Sequence, residues 1–306
     1  MVKQSYITPE IRALLAQEAI SQTTEPVEPG KIRRFAKALG FQNPRYYDLE
    51  NGRPIAPLTF VFSVNHDSLG EVDESGRPTN LVSLPPSYGP AIRGGNKYQF
   101  FRPVQVGDQI FIRRKITDLQ EKEGPTGSLL ILTYDLEYSN QNRELLGINT
   151  ESLIFRVTPK GEQKREQPQG QIFFALGEGR EIPSFQVNIS KVQMMIYAAA
   201  TWNPYQLHWD SNYAIKHGFP EINIPGAMFG DYQAEMLVRW IGNSSALKSL
   251  AYSIRAMAFP GDTLICKGMV RKQYEEQGNP YTLCLVWVEN QKKSRLVDGT
   301  AVVSLV

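Results

Sequence analysis

One helix-and-turn pattern occurs twice in this chain, and the elements that follow it repeat in the same order. Between residues 31 and 39, apolar Ile32, Phe35, Ala36 and Leu39 fall at i, i+3, i+4 and i+7, one face of a helix. Gly40 ends that helix, and Phe41-Gln42-Asn43-Pro44 turns the chain. In the second half Val192, Met195, Ile196 and Ala199 repeat the spacing, Ala200 stands where Gly40 stood, and Asn203-Pro204 repeats Asn43-Pro44. Ser190 with Gln193 makes a capping-box start for this second copy. Val106-Gly107-Asp108 ahead of Ile110 and Ile112 then matches Pro260-Gly261-Asp262 ahead of Leu264 and Cys266. Charged bends at 121–124 and 275–278, strand runs at 129–138 and 281–288, turns at Asn140-Gln141 and Asn290-Gln291, and final strands at 145–157 and 296–306 complete both copies. Order and spacing together indicate a tandem duplication.

Each half is thus a helix followed by long antiparallel strands. Such a meander can bury a long apolar helix only if the sheet curves around it. The expected class is α+β, two tandem halves in a double hot-dog arrangement. The expected domains are 1–158, a polar linker at 159–170 (PKGEQKREQPQG), and 171–306, which carries the candidate site. A short helix is expected over 9–20, with Thr8 as N-cap and Pro9 at its first position. The stretch 70–95, rich in Gly, Pro and Ser, is expected to replace part of the first half's central helix or to cover a pocket.

With 306 residues, 42% hydrophobic and 21% charged, the chain has ample material for a core. A net charge of +2 with acids and bases interleaved gives no basic stripe for nucleic acid. Cys266 and Cys284 sit in apolar strand-like runs without metal spacing and read as buried reduced thiols. No signal peptide and no span of about 20 apolar residues stands out, so a soluble, cytoplasmic protein is expected, with no membrane partner. No Walker-type or GxGxxG loop, HExxH, clustered Cys/His spacing or GxSxG occurs, and neither a metal nor a redox cofactor is expected.

The chemistry concentrates in Thr201-Trp202-Asn203-Pro204-Tyr205-Gln206-Leu207-His208-Trp209-Asp210, a polar loop after an apolar helix. His208 is one of three histidines and the one in a setting suited to a general base, because imidazole exchanges protons near neutral pH. His66 and His217 read as loop or surface residues. Asn203, before Pro204, reads as a turn former; Asp210, ahead of Ser211-Asn212-Tyr213, reads as an N-cap, with orienting His208 as the lesser reading. Gly226, between Pro225 and Ala227, fits a helix start whose free N–H groups meet an oxyanion. Phe229, Leu237, Trp240 and Ile241 suggest that this helix packs on the sheet. Trp202 and Gln206 of the loop, with Pro225 and Ala227 beside the glycine, are the candidate substrate contacts.

These runs resemble the MaoC-like hydratase/dehydratases, whose signature is a Gly-Asp-x-Asn-Pro-Leu-His run followed by a helix. The first half looks like their degenerate N-terminal dehydratase domain, through Ile32-Arg33-Arg34-Phe35-Ala36, Ile55-Ala56-Pro57-Leu58-Thr59-Phe60 and Phe101-Arg102-Pro103-Val104. The resemblance implies a hydro-lyase acting on an acyl-coenzyme A thioester as substrate. It implies His208 as acid/base, Asn203 and Thr201 as holders of the water, and the Gly226 N–H as donor to the thioester carbonyl. Thr201 stands where that signature has Asp, and two extra residues separate Pro204 from His208, a variant resembling mesaconyl-CoA hydratases. In the first half Tyr47 falls near the place of the base. A thioesterase is the less expected enzyme, since hot-dog thioesterases use a carboxylate on the central helix and residues 192–200 have none. A non-catalytic acyl-thioester-binding subunit is the alternative outside catalysis. Arg113, Arg114, Lys267 and Arg271 read as surface cations or as contacts for coenzyme A phosphates, and association into a dimer or larger homo-oligomer fits paired hot dogs.

Overall fold

The computed structural model describes residues 5–23, 25–48, 50, 52–64, 72–77, 90–124, 127–156 and 179–304. Ten strands form one antiparallel sheet in the order β1-β3-β4-β5-β2-β7-β10-β9-β8-β6. Here β1 is Glu18–Gln22, β2 Ile92–Phe100, β3 Phe111–Gly124, β4 Gly127–Ser139 and β5 Leu145–Arg156. The second five are β6 Glu181–Asn188, β7 Leu247–Ile254, β8 Thr263–Glu276, β9 Asn279–Glu289 and β10 Arg295–Ser304. The two halves have the same strand order and meet where β2 pairs with β7, Asn96 opposite Tyr252. This is the expected α+β double hot dog. The expected linker at 159–170 lies outside the described residues.

The repeat extends to single hydrogen bonds. Asp108 accepts from the Gln105 amide at 2.8 Å and Asp262 from the Phe259 amide at 2.9 Å, each closing a glycine turn. Asn140 and Asn290 clamp the later turns in the same way, accepting from the amides two and four residues on.

The helices depart from the expected register. α2 (Pro29–Ala38) buries Ile32, Phe35, Ala36 and, just beyond it, Leu39, as its spacing predicts. α4 (Lys191–Ala200) turns its Val192, Met195 and Ile196 outward, at 66%, 66% and 48% exposure, and buries Met194 and Tyr197. The two helix ends explain this. Leu39 and Thr201 are both C-caps, and the following residues, Gly40 (φ +70°) and Trp202 (φ +49°), both adopt the left-handed turn. Phe41 N–H reaches Ala36 O at 3.0 Å, and Asn203 N–H reaches Ala198 O at 2.8 Å. Gly40 therefore matches Trp202 rather than Ala200, and Ile32, Phe35 and Leu39 match Met194, Tyr197 and Thr201. The shared Asn-Pro dipeptide sets the visual alignment two residues off.

The long central helix is α6, Ala227–Ile241, with Met228 through Val238 all buried, lying against β6, β7, β8 and β9. Gly242 closes it in the left-handed conformation. In the first half, a single turn, α3 (Phe60–Ser63), stands at the corresponding place. The expected helix at 9–20 is shorter: Thr8 caps α1 (Pro9–Ala13), one 3₁₀ turn follows, and the chain then becomes edge strand β1 beside β3. Of the stretch 70–95, residues 92–95 belong to β2, where the halves join. Cys266 and Cys284 are free and buried, and burial pushes the Cys284 thiol up to about 12.

Candidate active site

α4 is followed by a 3₁₀ turn, Gln206–His208, which holds His208 on a short, tightly bonded loop. The His208 Nδ1 lies 2.8 Å from the Asn223 carbonyl oxygen. A carbonyl only accepts, so Nδ1 carries the proton and Nε2 presents a lone pair. Burial, with a smaller push from the Arg93 guanidinium, lowers the His208 pKa to about 4, so the ring is neutral near pH 7. The Asn223 N–H reaches back to Leu207 O at 3.3 Å. Asp210 caps α5 (Ser211–Lys216) through the Asn212 and Tyr213 amides. His217 is half-buried with its ring 4.4 Å from that of Tyr213, and His66 lies outside the described residues.

Three residues after Asn223, Gly226 opens α6. Met228 N–H bonds to Pro225 O, and among the described residues no backbone carbonyl accepts from Gly226 or Ala227 N–H. Pro225 is buried, whereas Gly226 and Ala227 are half-buried. A Cβ on Gly226 would lie 2.8 Å from Arg93 Cβ and 2.9 Å from Arg93 Cδ, which excludes any larger residue. His208 and the free helix amides are thus linked by Asn223-Ile224-Pro225, a segment tied at both ends.

The remaining expected site residues divide. The Asn203 side chain makes no hydrogen bond to a described residue, leaving its amide free for water. Thr201 is buried and donates its hydroxyl proton to Tyr197 O at 2.9 Å, so it can only accept from a further partner. It lines a cleft between α2 and α4 with Ser63, Lys31, Arg34 and Trp202, the last 60% exposed. Gln206 is engaged by the first half. Its backbone N–H and side-chain amide bond to Ser75 O at 2.9 Å and Glu74 O at 3.0 Å. The first half's segment 72–77 thus straps this loop, with Gly76 so close that a Cβ would stand 2.1 Å from Pro204 O. Arg114 is buried rather than a surface cation, Arg113 pairs with Glu18 and Glu137, and Lys267 pairs with Glu289 at 2.8 Å.

Two groups escaped sequence reasoning. The first is the carboxylate pair on the central helix, Asp231 and Glu235, both 3% exposed. The central helix does carry carboxylates, since that helix is α6 and not α4. Asp231 accepts from Tyr197 Oη at 2.8 Å and from Thr59, and burial raises its pKa to about 7. Glu235 accepts from Tyr46 Oη at 2.8 Å and pairs with Arg239 at 2.8 Å. The second group is Arg93, from the first half's β2. No spacing signal marks it.

Comparisons with known proteins agree with this architecture. A family described as "FAS1-like, dehydratase domain region" matches residues 14–146. A UPF0336 protein of Streptomyces coelicolor is 37% identical over 109 residues, 33% of this chain and 69% of that protein. Among solved structures, a MaoC-like dehydratase superposes at TM-score 0.75 with 17% identity, covering 95% of this chain and 98% of the other. A Mycobacterium tuberculosis protein described as having a double hotdog fold superposes at TM-score 0.63 with 11% identity, covering 94% and 96%. The chain belongs to the UPF0336 family, and its fold is that of the MaoC-like double hot dogs.

Proposed function

We propose that the protein is a hydratase/dehydratase that adds water to, or removes it from, the 2,3-bond of an acyl-coenzyme A thioester. The observation that carries this reading is the pairing of His208, its Nε2 lone pair free, with the open amides of Gly226 and Ala227, which begin three residues beyond its anchor Asn223. In hydration, the thioester carbonyl accepts from the Gly226 N–H. Water attacks C3 as its proton passes to His208 Nε2, and the C2–C3 π electrons move into an enolate. The imidazolium then returns the proton to C2 and the carbonyl re-forms. Dehydration retraces these steps. Asn203 orients the water, and Thr201 offers it an acceptor. A helix-terminal donor aimed at enolate charge is typically worth about 3 kcal/mol of barrier.

Enoyl absorbance on a panel of 2-enoyl-CoA thioesters, with thiol release followed in parallel, tests the reading. Loss of absorbance without free thiol, reduced at least ~100-fold in His208→Ala, is expected. Thiol release by the wild type would instead assign a thioesterase, for which Asp231 on α6 is the specific structural argument. Neither signal would indicate an acyl-thioester-binding protein.

A further inference from the structure

We propose that Arg93, contributed by the first half, is a positioning residue of the second half's site, seating Gly226 through its stem and anchoring that contact through its guanidinium. The inference rests on the hydratase reading for its kinetic consequence and on geometry alone for its structural one.

The geometry starts with an irregularity. β2 pairs with β5 in regular register except between Arg93 and Gly95, where one residue is extra. In a flat strand Arg93 and Asn96 would face opposite sides. The bulge brings them to one side, and Arg93 Nη1 donates to Asn96 Oδ1 at 3.1 Å and meets Glu151 Oε2 at 2.6 Å. Asn96 Oδ1 also lies 2.9 Å from Tyr252 Oη, and that hydroxyl is 3.3 Å from Gly226 O. Gly226 thus meets the Arg93 stem on its Cα side, and its carbonyl shares the single Tyr252 hydroxyl proton with Asn96 Oδ1. Gly230, one turn along α6, meets the same surface, because a Cβ there would come within 2.7 Å of Tyr98 and Tyr252. The start of α6, where the open amides lie, is pressed onto the seam between the halves.

The charges facing Arg93 explain why it is not a substrate ligand. Glu151 from β5 neutralises it at close range; Tyr98 and Tyr252 flank it, Tyr138 of β4 lies within range, and Asp231 of α6 and His208 of the loop both feel its charge. With Glu151 already bound, the guanidinium acts on the site through Gly226 and through its field on His208. The half without a base thus supplies the wall against which the base and donor are set.

The test compares wild type, Arg93→Lys, Arg93→Met and the double variant Arg93→Met/Glu151→Gln, which removes both buried charges and so leaves none unpaired. Thermal melting establishes that each is folded. For the folded double variant we expect kcat lower by up to ~100-fold, the loss expected from a shift of about 1 Å in a reacting group, with Arg93→Lys closer to wild type. His208 imidazole protons, assigned by their loss in His208→Ala, are titrated by NMR in parallel and should protonate at higher pH without Arg93. A folded double variant with unchanged kcat and an unchanged His208 titration would overturn the proposal. A wild type inactive on every enoyl thioester would overturn the hydratase reading alone, because the titration still decides whether Arg93 acts on His208.

Discussion

Tyr46 and His208 occupy one position in two copies of the same turn. Each ends a single 3₁₀ turn, Pro44–Tyr46 and Gln206–His208, whose N-caps have matching backbones: φ −62°, ψ 119° at Asn43 and φ −60°, ψ 120° at Tyr205. Each donates its N–H to that cap's carbonyl at 3.0 Å. The correspondence continues, since Ile55 N–H bonds to Arg45 O as Asn223 N–H bonds to Leu207 O. Phe60 N–H likewise bonds to Pro57 O as Met228 N–H bonds to Pro225 O. Leu58 therefore stands at the place of Gly226. Tyr46, not Tyr47, takes the place of His208. The first half keeps the scaffold of a site and has turned its groups toward α6.

Tyr46 illustrates the consequence. Its hydroxyl supplies Glu235, a carboxylate 3% exposed, with a hydrogen bond from the other half. Tyr46→Phe leaves that carboxylate short of a donor and should cost about 1–3 kcal/mol in urea unfolding. His208 and Gly226 remain in place, so activity per folded molecule should change little.

Half-buried His208 and fully buried Asp231 oppose each other in acid. The His208 pKa is lowered from 6.5 to about 4, so the unfolded chain binds the extra proton and stability falls as pH drops from about 6.5 to about 4. The Asp231 pKa is raised from 3.8 to about 7, so the folded chain holds the extra proton. That contribution is full in acid and is lost as pH rises through about 7. Asp231→Asn should therefore be more stable than wild type at pH 8, by at most about 4 kcal/mol at roughly 1.4 kcal/mol per pH unit. It should also lose stability more steeply on acidification between 6.5 and 4. Denaturation at pH 8, 6 and 4.5 checks both signs. Parallel pH curves for the two proteins would contradict the burial argument.

The strap from the first half should control the loop bearing His208. Gly76 combines φ +79° with contact against Pro204 O, so Gly76→Ala must lift the strap or distort the loop. A loss of about 1–3 kcal/mol in stability is expected, with kcat/KM falling while far-ultraviolet circular dichroism stays unchanged. Gln206→Ala, which removes only the side-chain bond to Glu74 O, should do less.

What was legible depended on how local its cause was. The strand runs, the Asp108 and Asp262 turns and the Asn140 and Asn290 clamps follow from side chains bonding amides within four residues, and they fold as expected. The Asp210 cap was legible for the same reason, and the buried cysteines from the apolar strand runs around them. The α4 face was misread because Val192, Met195, Ile196 and Ala199 satisfy helical spacing equally well when they face outward. Spacing names a face and not its neighbour.

By itself, then, the sequence determined the duplicated α+β plan, the turn that carries His208 and the glycine start of α6, because periodicity and turn chemistry act over a few residues. Only the tertiary structure decided that α6 and not α4 is the central helix, that Asp231 and Glu235 are buried on it, and that Arg93 reaches Gly226. Those contacts join residues far apart in the chain, across the seam where β2 pairs with β7 and beside the one bulge that β2 makes against β5. A local pattern cannot encode which distant surface will press against it; that follows from how the two halves bury their apolar faces together.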